Sequence, residues 1–241
     1  MSTSEEKKKV VIKEGESEPR VCRVNRQKYP HNGQGGSIPE RVGRITTEFI
    51  KGFELLEKYD LAATFFGSAR CAPDSDTYKD AVKFSYRLSQ SGFTIITGGA
   101  AGIMEAANKG AYDAEGKSVG INIELSMEQS GNKFTTDSED FHYFFSRKVM
   151  LTFASEVYIY FPGGFGTLDE FFEIATLVQT KKIEPIPIIL VGREYWTPLI
   201  EWFEKGLIET HHTISKEDMN IFTLVDTVDE AYDAIMDKVC E

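Results

Sequence analysis

Short apolar segments alternate with amphipathic segments along most of this 241-residue chain. The apolar segments are rich in β-branched and aromatic residues and predict strands at 61–66, 93–97, 118–123, 140–145, 156–161, 186–191 and 221–225. The amphipathic segments repeat apolar residues every three or four positions and predict helices at 39–59, 75–91, 102–115, 146–154, 167–181, 194–208 and 227–239. This alternation favours a doubly wound α/β fold, in which helices flank a mainly parallel sheet on both faces.

Two stretches depart from the alternation. Residues 1–36 are rich in charge and end in a glycine-rich run, so they predict a disordered or loosely attached arm. Residues 126–138 are polar and predict a loop. The rest of the chain, 37–241, has the length of a single domain. Its first helix carries one apolar face, which consists of Val42, Ile45, Phe49, Phe53 and Leu56. We expect this face to pack against the core.

Three of the predicted strands end in turns built from glycine and other small residues. The turns are Gly67-Ser68-Ala69-Arg70, Gly98-Gly99-Ala100-Ala101-Gly102 and Pro162-Gly163-Gly164-Phe165-Gly166-Thr167. Glycine permits close approach of the backbone to a ligand, and the free N–H groups of a following helix favour an anion. Because ligands of parallel sheets bind beyond the carboxyl ends of strands, the three turns together predict a phosphate or nucleotide site. Glu170 adds a carboxylate one turn into the last helix.

The composition argues against several functions. A net charge of −11 disfavours a general nucleic-acid binder, and we expect no nucleic-acid partner. The longest strongly apolar run, 186–191, is too short to span a bilayer, and we expect no membrane partner. Three isolated cysteines, Cys22, Cys71 and Cys240, fit a reducing cytoplasm, which is the expected location. The histidines have no metal-binding spacing, so we predict no metal. We also expect no other cofactor.

Residues 162–170 read Pro-Gly-Gly-Phe-Gly-Thr-Leu-Asp-Glu. With this motif the chain resembles the LOG-type family, the cytokinin riboside 5′-monophosphate phosphoribohydrolases, which is often labelled lysine decarboxylase-like. Further signatures of the family are matched at Gly98–Met104, Arg147-Lys148 and Gly67-Ser68. The resemblance covers about residues 40–235 and is greatest to the longer bacterial branch, which carries an extra N-terminal helix.

The resemblance implies a Rossmann-like fold and an activity. Members of the family hydrolyse the N-glycosidic bond of a nucleoside 5′-monophosphate and release the free base and ribose 5-phosphate. By resemblance, Glu170 and Arg147 are the catalytic residues. The residues that bind phosphate or nucleotide are then Gly163, Gly164, Gly166, Thr167, Gly67, Ser68, Gly98, Gly99, Gly102 and Met104. Lys148, Glu105 and Arg70 are additional candidates for the site.

The second glycine turn departs from the family motif, because Ala100 replaces its third glycine. If this position needs a positive φ, alanine strains the turn by about 1 kcal/mol or more. If φ is negative, the replacement is harmless.

The substrate and the class of function have alternatives. The sequence does not choose between AMP and a cytokinin riboside 5′-monophosphate, although Phe165, Met104, Phe144 and Phe145 are candidates to line an apolar slot for a base. A molybdenum-cofactor carrier would use the same anion cradle without chemistry. A decarboxylase is disfavoured, because its pyridoxal phosphate needs a lysine and the glycine turns contain none. Members of the family pair through helices, so we expect a homodimer or a larger homo-oligomer. We also expect a small AMP-like substrate.

Overall fold

Seven parallel strands form one sheet in the computed structural model, which describes residues 37–124 and 131–239. The strands are β1 (Ala62–Phe66), β2 (Thr94–Thr97), β3 (Ser118–Ile123), β4 (Asp137–Phe141), β5 (Val157–Tyr160), β6 (Ile188–Val191) and β7 (Thr223–Val225). The helices are α1 (Ile38–Leu56), α2 (Asp76–Gln90), α3 (Ile103–Asp113), α4 (Phe144–Thr152), α5 (Phe165–Gln179), α6 (Arg193–Trp202) and α7 (Val228–Val239). A π-helical segment, Phe203–Thr210, continues α6, and a short 3₁₀ helix spans Glu217–Asn220. The predicted α/β, Rossmann-like fold is confirmed.

The strand order is β4-β3-β2-β1-β5-β6-β7, with every neighbouring pair parallel. All residues of β1, β2, β5 and β6 are buried, as is typical of parallel strands covered by helices on both faces. From β1 the chain proceeds to β2 on one side, whereas β5 lies on the other side of β1. The connections therefore change direction between β1 and β5, and a crevice forms there at the carboxyl ends of the strands.

The predicted strand at 140–145 is wrong in its position. The edge strand β4 covers Asp137–Phe141, and α4 already begins at Phe144. β4 pairs on one side only, with β3, and its exposed positions are polar. The sequence therefore predicts Asp137 and Ser138 as part of the loop at 126–138, whereas they belong to β4; residues 126–130 of that loop lie outside the described residues. An edge strand needs apolar residues on only one face, so its sequence resembles a loop.

The predicted inner face of the first helix is also wrong in part. Val42 is 55% exposed and Phe53 is 44% exposed. The residues of α1 that are buried are Glu48, Gly52 and Leu55. A Cβ atom added at Gly52 would lie 2.4 Å from Met150 Sδ, so this glycine permits α1 to cross α4 closely.

Other predictions are tested only within the described residues. Among the described helices, none combines the length and the apolar character that crossing a bilayer requires. In the same part of the chain, no group of three or more His, Cys, Asp and Glu residues is arranged to hold a metal ion. The predicted arm at 1–36, together with Cys22 and Cys240, lies outside the described residues.

Candidate active site

A cavity of about 810 Å³ opens at the carboxyl ends of β1, β2 and β5. The three predicted glycine turns contribute to its wall, as do the first turns of α4, α5 and α6. Its lining includes the following predicted site residues: Gly67, Ser68, Arg70, Gly98, Met104, Arg147, Gly163, Gly164, Gly166, Thr167 and Glu170. The fold thus brings together residues that lie more than a hundred positions apart in the sequence.

Backbone hydrogen bonds at Ser68 join the three turns to one another. The Ser68 N–H donates to the Pro162 carbonyl oxygen at 3.0 Å. The Ser68 carbonyl oxygen accepts from the Ile103 N–H, also at 3.0 Å. A further hydrogen bond runs from the Tyr195 hydroxyl of α6 to the Gly163 carbonyl oxygen. These contacts hold the wall of the cavity as one unit.

Some glycines are required by the protein's own packing. A Cβ atom on Gly98 would lie 2.1 Å from a terminal nitrogen of Arg147, and one on Gly163 would lie 2.1 Å from Thr167 Oγ1. Gly99 and Gly102 both have a φ of +69°. This backbone conformation is strained for a residue with a side chain but not for glycine. These two glycines shape the second turn and are not among the cavity-lining residues.

At two other positions, neither packing nor backbone conformation requires glycine. Cβ atoms built on Gly164 and Gly166 would meet nothing within 4 Å, and neither residue has a positive φ. Both nevertheless line the cavity, at the start of α5. The space around them is open and lies at the N-terminus of a helix, where the free N–H groups of the first turn favour an anion.

The backbone conformation of Ala100 shows whether alanine strains the second turn. Among the described residues, only Glu115, Lys181 and His212 combine a side chain with a positive φ. Ala100 is therefore free of this strain. The turn around it is held from outside, because the Asn132 N–H donates to the Gly99 carbonyl oxygen at 2.9 Å.

Glu170 is the buried acid of the cavity. Its residue is 9% exposed, and its Oε2 atom has no hydrogen-bond partner among the described residues. Burial raises the pKa of this carboxyl to about 7, although Arg147 and Lys148 act in the opposite direction. The acid is thus held near the point of half-protonation at neutral pH, as suits a group that exchanges protons.

Arg147 enters the same cavity from the first turn of α4. Its Nε donates to the Ile121 carbonyl oxygen at 2.8 Å, and a terminal nitrogen donates to the Gly98 carbonyl oxygen at 3.2 Å. Burial lowers the pKa of the guanidinium and the charge of Glu170 raises it. Among the described residues, no ion pair within 4.0 Å joins Arg147 to Glu170. Both residues line the cavity, and no direct contact between their charged groups blocks it.

The additional candidates occupy different places. The Lys148 ammonium lies 2.8 Å from Asp169 and 3.0 Å from Glu173, so it links α4 to α5 beside the cavity. Arg70 lines the cavity itself. The Glu105 carboxylate instead accepts a hydrogen bond from the Tyr78 hydroxyl at 3.1 Å, and Glu105 is not among the described cavity-lining residues.

Apolar side chains surround the mouth of the cavity. Met104, Phe144 and Phe165 line it, as predicted for a base slot, whereas Phe145 is not in that lining. Phe165 is 93% exposed. An exposed aromatic side chain beside a cavity is a suitable platform for a flat base.

Sequence reasoning missed three contributors. Tyr195 follows β6 and carries no motif. Asn132 and Asn108 form a polar network behind the second turn, with Asn132 Nδ2 donating to Asn108 Oδ1 at 2.8 Å. The Thr97 hydroxyl donates to the same oxygen at 2.6 Å. The signal was weak, because asparagines near turns usually serve only the turn itself.

The cavity and its motifs correspond to a known family. The family described as "Possible lysine decarboxylase", to which the LOG-type proteins belong, matches residues 104–235, more than half of the chain. The chain belongs to this family. The match contains Met104, Arg147 and the turn that leads to Glu170.

Several curated relatives carry the name of an enzyme. The cytokinin riboside 5′-monophosphate phosphoribohydrolase of Rhodococcoides fascians is 27% identical over 51% of this chain. That match spans 63% of the relative's length, which is less than two thirds of it. A probable cytokinin riboside 5′-monophosphate phosphoribohydrolase of Oryza sativa subsp. japonica is 26% identical over 76% of this chain and 86% of its own.

Solved structures share the fold. The molybdenum cofactor carrier protein of Chlamydomonas reinhardtii matches with a TM-score of 0.57 and 19% identity, over 76% of this chain and 99% of that chain. The molybdenum cofactor binding protein of Rippkaea orientalis matches with a TM-score of 0.54 and 19% identity, over 73% and 94%. At these identities the likeness is one of fold alone.

Proposed function

We propose that this protein is a hydrolase that cleaves the N-glycosidic bond of a nucleoside 5′-monophosphate, such as AMP or a cytokinin riboside 5′-monophosphate. One observation carries the proposal: the buried carboxyl of Glu170, with an unpartnered oxygen, lies in a cavity whose wall includes the start of α5. The open positions at Gly164 and Gly166 accommodate the 5′-phosphate. The relatives named as phosphoribohydrolases support the same reaction.

The chemistry follows from the two charged groups. Departure of the base leaves positive charge on the sugar, and the ionised form of Glu170 stabilises it. The same carboxylate takes a proton from water as the water oxygen forms its bond to the sugar carbon. The electron pair of the broken C–N bond leaves with the base, which takes up a proton from solvent, and Glu170 returns the proton that it took from water to solvent. Arg147 favours the ionised form of Glu170 and donates to hydroxyl groups of the sugar phosphate.

A carrier that holds a nucleotide-like ligand without chemistry is the alternative. Such a protein needs the anion cradle formed by the glycine turns. It has no need of a buried carboxyl with a pKa of about 7, whose desolvation disfavours the folded state. The presence of Glu170 together with Arg147 therefore favours the enzyme.

Product analysis distinguishes the two functions. The full chain is incubated with AMP, an N6-substituted AMP and adenosine, and free base and ribose 5-phosphate are quantified by chromatography. We expect cleavage of a monophosphate, no cleavage of adenosine, and a loss of about 100-fold or more in Glu170→Gln. The matched control is Glu184→Gln, an exposed acid beyond α5. Binding of AMP with no product from any monophosphate would instead identify a carrier.

We also propose that the chain forms a homo-oligomer. Exposed apolar side chains lie on α1 and α4, which pack against each other, and they include Val42, Phe53 and Phe145. Phe153, which directly follows α4, is exposed as well. Such surfaces usually mark an interface. The oligomeric state is measured by analytical ultracentrifugation, and a monomer at micromolar concentration would contradict the proposal. The cytoplasmic location stays a prediction.

A further inference from the structure

Glu48 is a buried acid that the site does not account for. It lies on α1, is 7% exposed, and does not line the catalytic cavity. Its Oε1 accepts the His142 N–H at 2.9 Å, and its Oε2 accepts the Tyr143 N–H at 3.4 Å. The Ser146 hydroxyl donates to the same Oε2. All three partners lie at the start of α4.

The start of α4 lacks the usual stabilising groups of its own. Its N-cap, Tyr143, makes no side-chain capping bond, and the first turn contains no acidic residue. The first turn instead carries Arg147, a cation at the end of the helix dipole that disfavours cations. Glu48 brings a carboxylate to this place from a different helix. It accepts the N–H of the N-cap residue Tyr143, a bond that an acidic residue of the same helix makes in a capping box, and it lies at the end of the helix dipole that favours an acid.

The position of Arg147 depends on the same turn of helix. Ser146, which Glu48 holds, is the residue before Arg147, and Ser146 is fully buried. The guanidinium reaches the Ile121 and Gly98 carbonyl oxygens only if the first turn of α4 stays in register. A displacement of this turn moves the guanidinium relative to Glu170, and a misplacement of about 1 Å costs up to about 100-fold in rate.

We propose that Glu48 is a positioning residue that holds Arg147 in the cavity by fixing the start of α4. The inference rests on the proposed function for its effect on rate. Its effect on the placement of Arg147 is independent of that function. The close crossing of α1 over α4 at Gly52 keeps the carboxylate in reach.

A double-mutant cycle tests the proposal through activity. Glu48→Ala and Glu48→Gln are made in the wild-type chain and in Arg147→Ala, with Glu54→Gln, an exposed acid of the same helix, as the matched control. We expect Glu48→Ala to lower kcat/KM for AMP about 10- to 100-fold in the wild-type background. In the Arg147→Ala background the loss should be less than about 2-fold, because the residue through which Glu48 acts is gone. Glu48→Gln keeps one oxygen acceptor and should recover part of the loss.

A chemical measurement tests the same proposal without substrate. Phenylglyoxal modifies arginine, and mass spectrometry of peptides reports the rate at Arg147. We expect this rate to rise several-fold in Glu48→Ala and to stay unchanged in Glu54→Gln, with thermal unfolding confirming that each variant is folded. If Glu48→Ala does not fold, Glu48→Gln is measured in its place, and a smaller rise is expected.

The outcomes separate the two proposals. An equal loss of kcat/KM in both backgrounds, or an unchanged modification rate at Arg147, would overturn the role of Glu48. Absence of hydrolysis in the wild-type chain would overturn the proposed function alone, because the modification rate still decides whether Glu48 positions Arg147.

Discussion

Replacement of Glu170 by glutamine is expected to change stability in a pH-dependent way. In the folded protein burial raises the pKa of this carboxyl from 4.5 to about 7. Between these two values the folded state holds a proton that the unfolded chain has lost. The stability associated with this group is thus fully present below pH 4.5 and is lost as the pH rises through about 7.

The magnitude follows from the difference in pKa. A tenfold change in an acid constant is worth about 1.4 kcal/mol, so the full effect is about 3 kcal/mol in the free energy of unfolding. Between about pH 5 and about pH 8 the wild-type chain should lose about 2 to 3 kcal/mol through this group. Glutamine has no proton to lose. The variant should therefore gain stability relative to the wild type by that amount as the pH rises over this range.

Denaturant unfolding at a series of pH values measures the effect. Trp196 is fully buried and provides a fluorescence signal. The quantity of interest is the difference in free energy of unfolding between Glu170→Gln and the wild type, with Glu184→Gln as the control that should show no trend. A difference that stays constant from acid to alkaline pH would refute the assignment of a raised pKa. Arg147→Met should shift the transition to higher pH, because Arg147 lowers the pKa of Glu170.

Two glycine substitutions provide further predictions. Gly98→Ala would place a Cβ atom 2.1 Å from Arg147, so we expect a folded protein with hydrolysis lowered about 10-fold or more, whereas Gly43→Ala, where nothing lies within 4 Å, should have no such effect in the same assay. Gly166→Ala lies within α5 and meets no protein atom, so we expect an unfolding free energy higher by up to about 1 kcal/mol together with a raised KM for AMP. An unchanged KM would contradict the placement of the phosphate there.

The order of strands and helices could be predicted because periodicity reports burial. β1, β2, β5 and β6 are buried throughout and consist mainly of β-branched, aromatic and other apolar residues, and a short run of that kind bounded by turns is typical of a buried strand. β4 could not be recognised, because an edge strand that starts at Asp137 shows the polarity of a loop. Hydrophobic patterning therefore detects a strand reliably only when helices cover both of its faces, and it misses an edge strand with exposed polar positions.

The predicted inner face of α1 was wrong for a different reason. Hydrophobic periodicity selected Val42 and Phe53, yet the buried side of the helix is occupied by Glu48 and Gly52. Glu48 is buried because backbone N–H groups from the start of α4 satisfy it. Local sequence contains no information about those partners, which lie more than ninety positions away.

In the candidate site, too, the sequence predicts some of the residues and not others. The glycine turns could be found from sequence, because glycine after a strand has a local meaning. Arg147 was found only through the family resemblance, since its partners are carbonyl oxygens of β3 and of the second turn. Glu105 had the sequence context of a site residue, but its carboxylate faces Tyr78. A first-turn acid has a role in the helix dipole as well, and the sequence does not separate the two roles.

The two charged residues of the cavity each break a rule of stability, and they do so in the same place. Arg147 is a partly buried cation at the start of a helix, and Glu170 is a buried acid with an unpartnered oxygen. A direct ion pair would reduce both costs, yet none joins them within 4.0 Å among the described residues. Local rules are broken at functional sites when a ligand completes the arrangement. Under the proposed function, a sugar phosphate bound between the guanidinium and the carboxyl would give the unpartnered oxygen of Glu170 a hydrogen-bond donor and would give Arg147 an anionic partner, and this would account for both costs in one cavity.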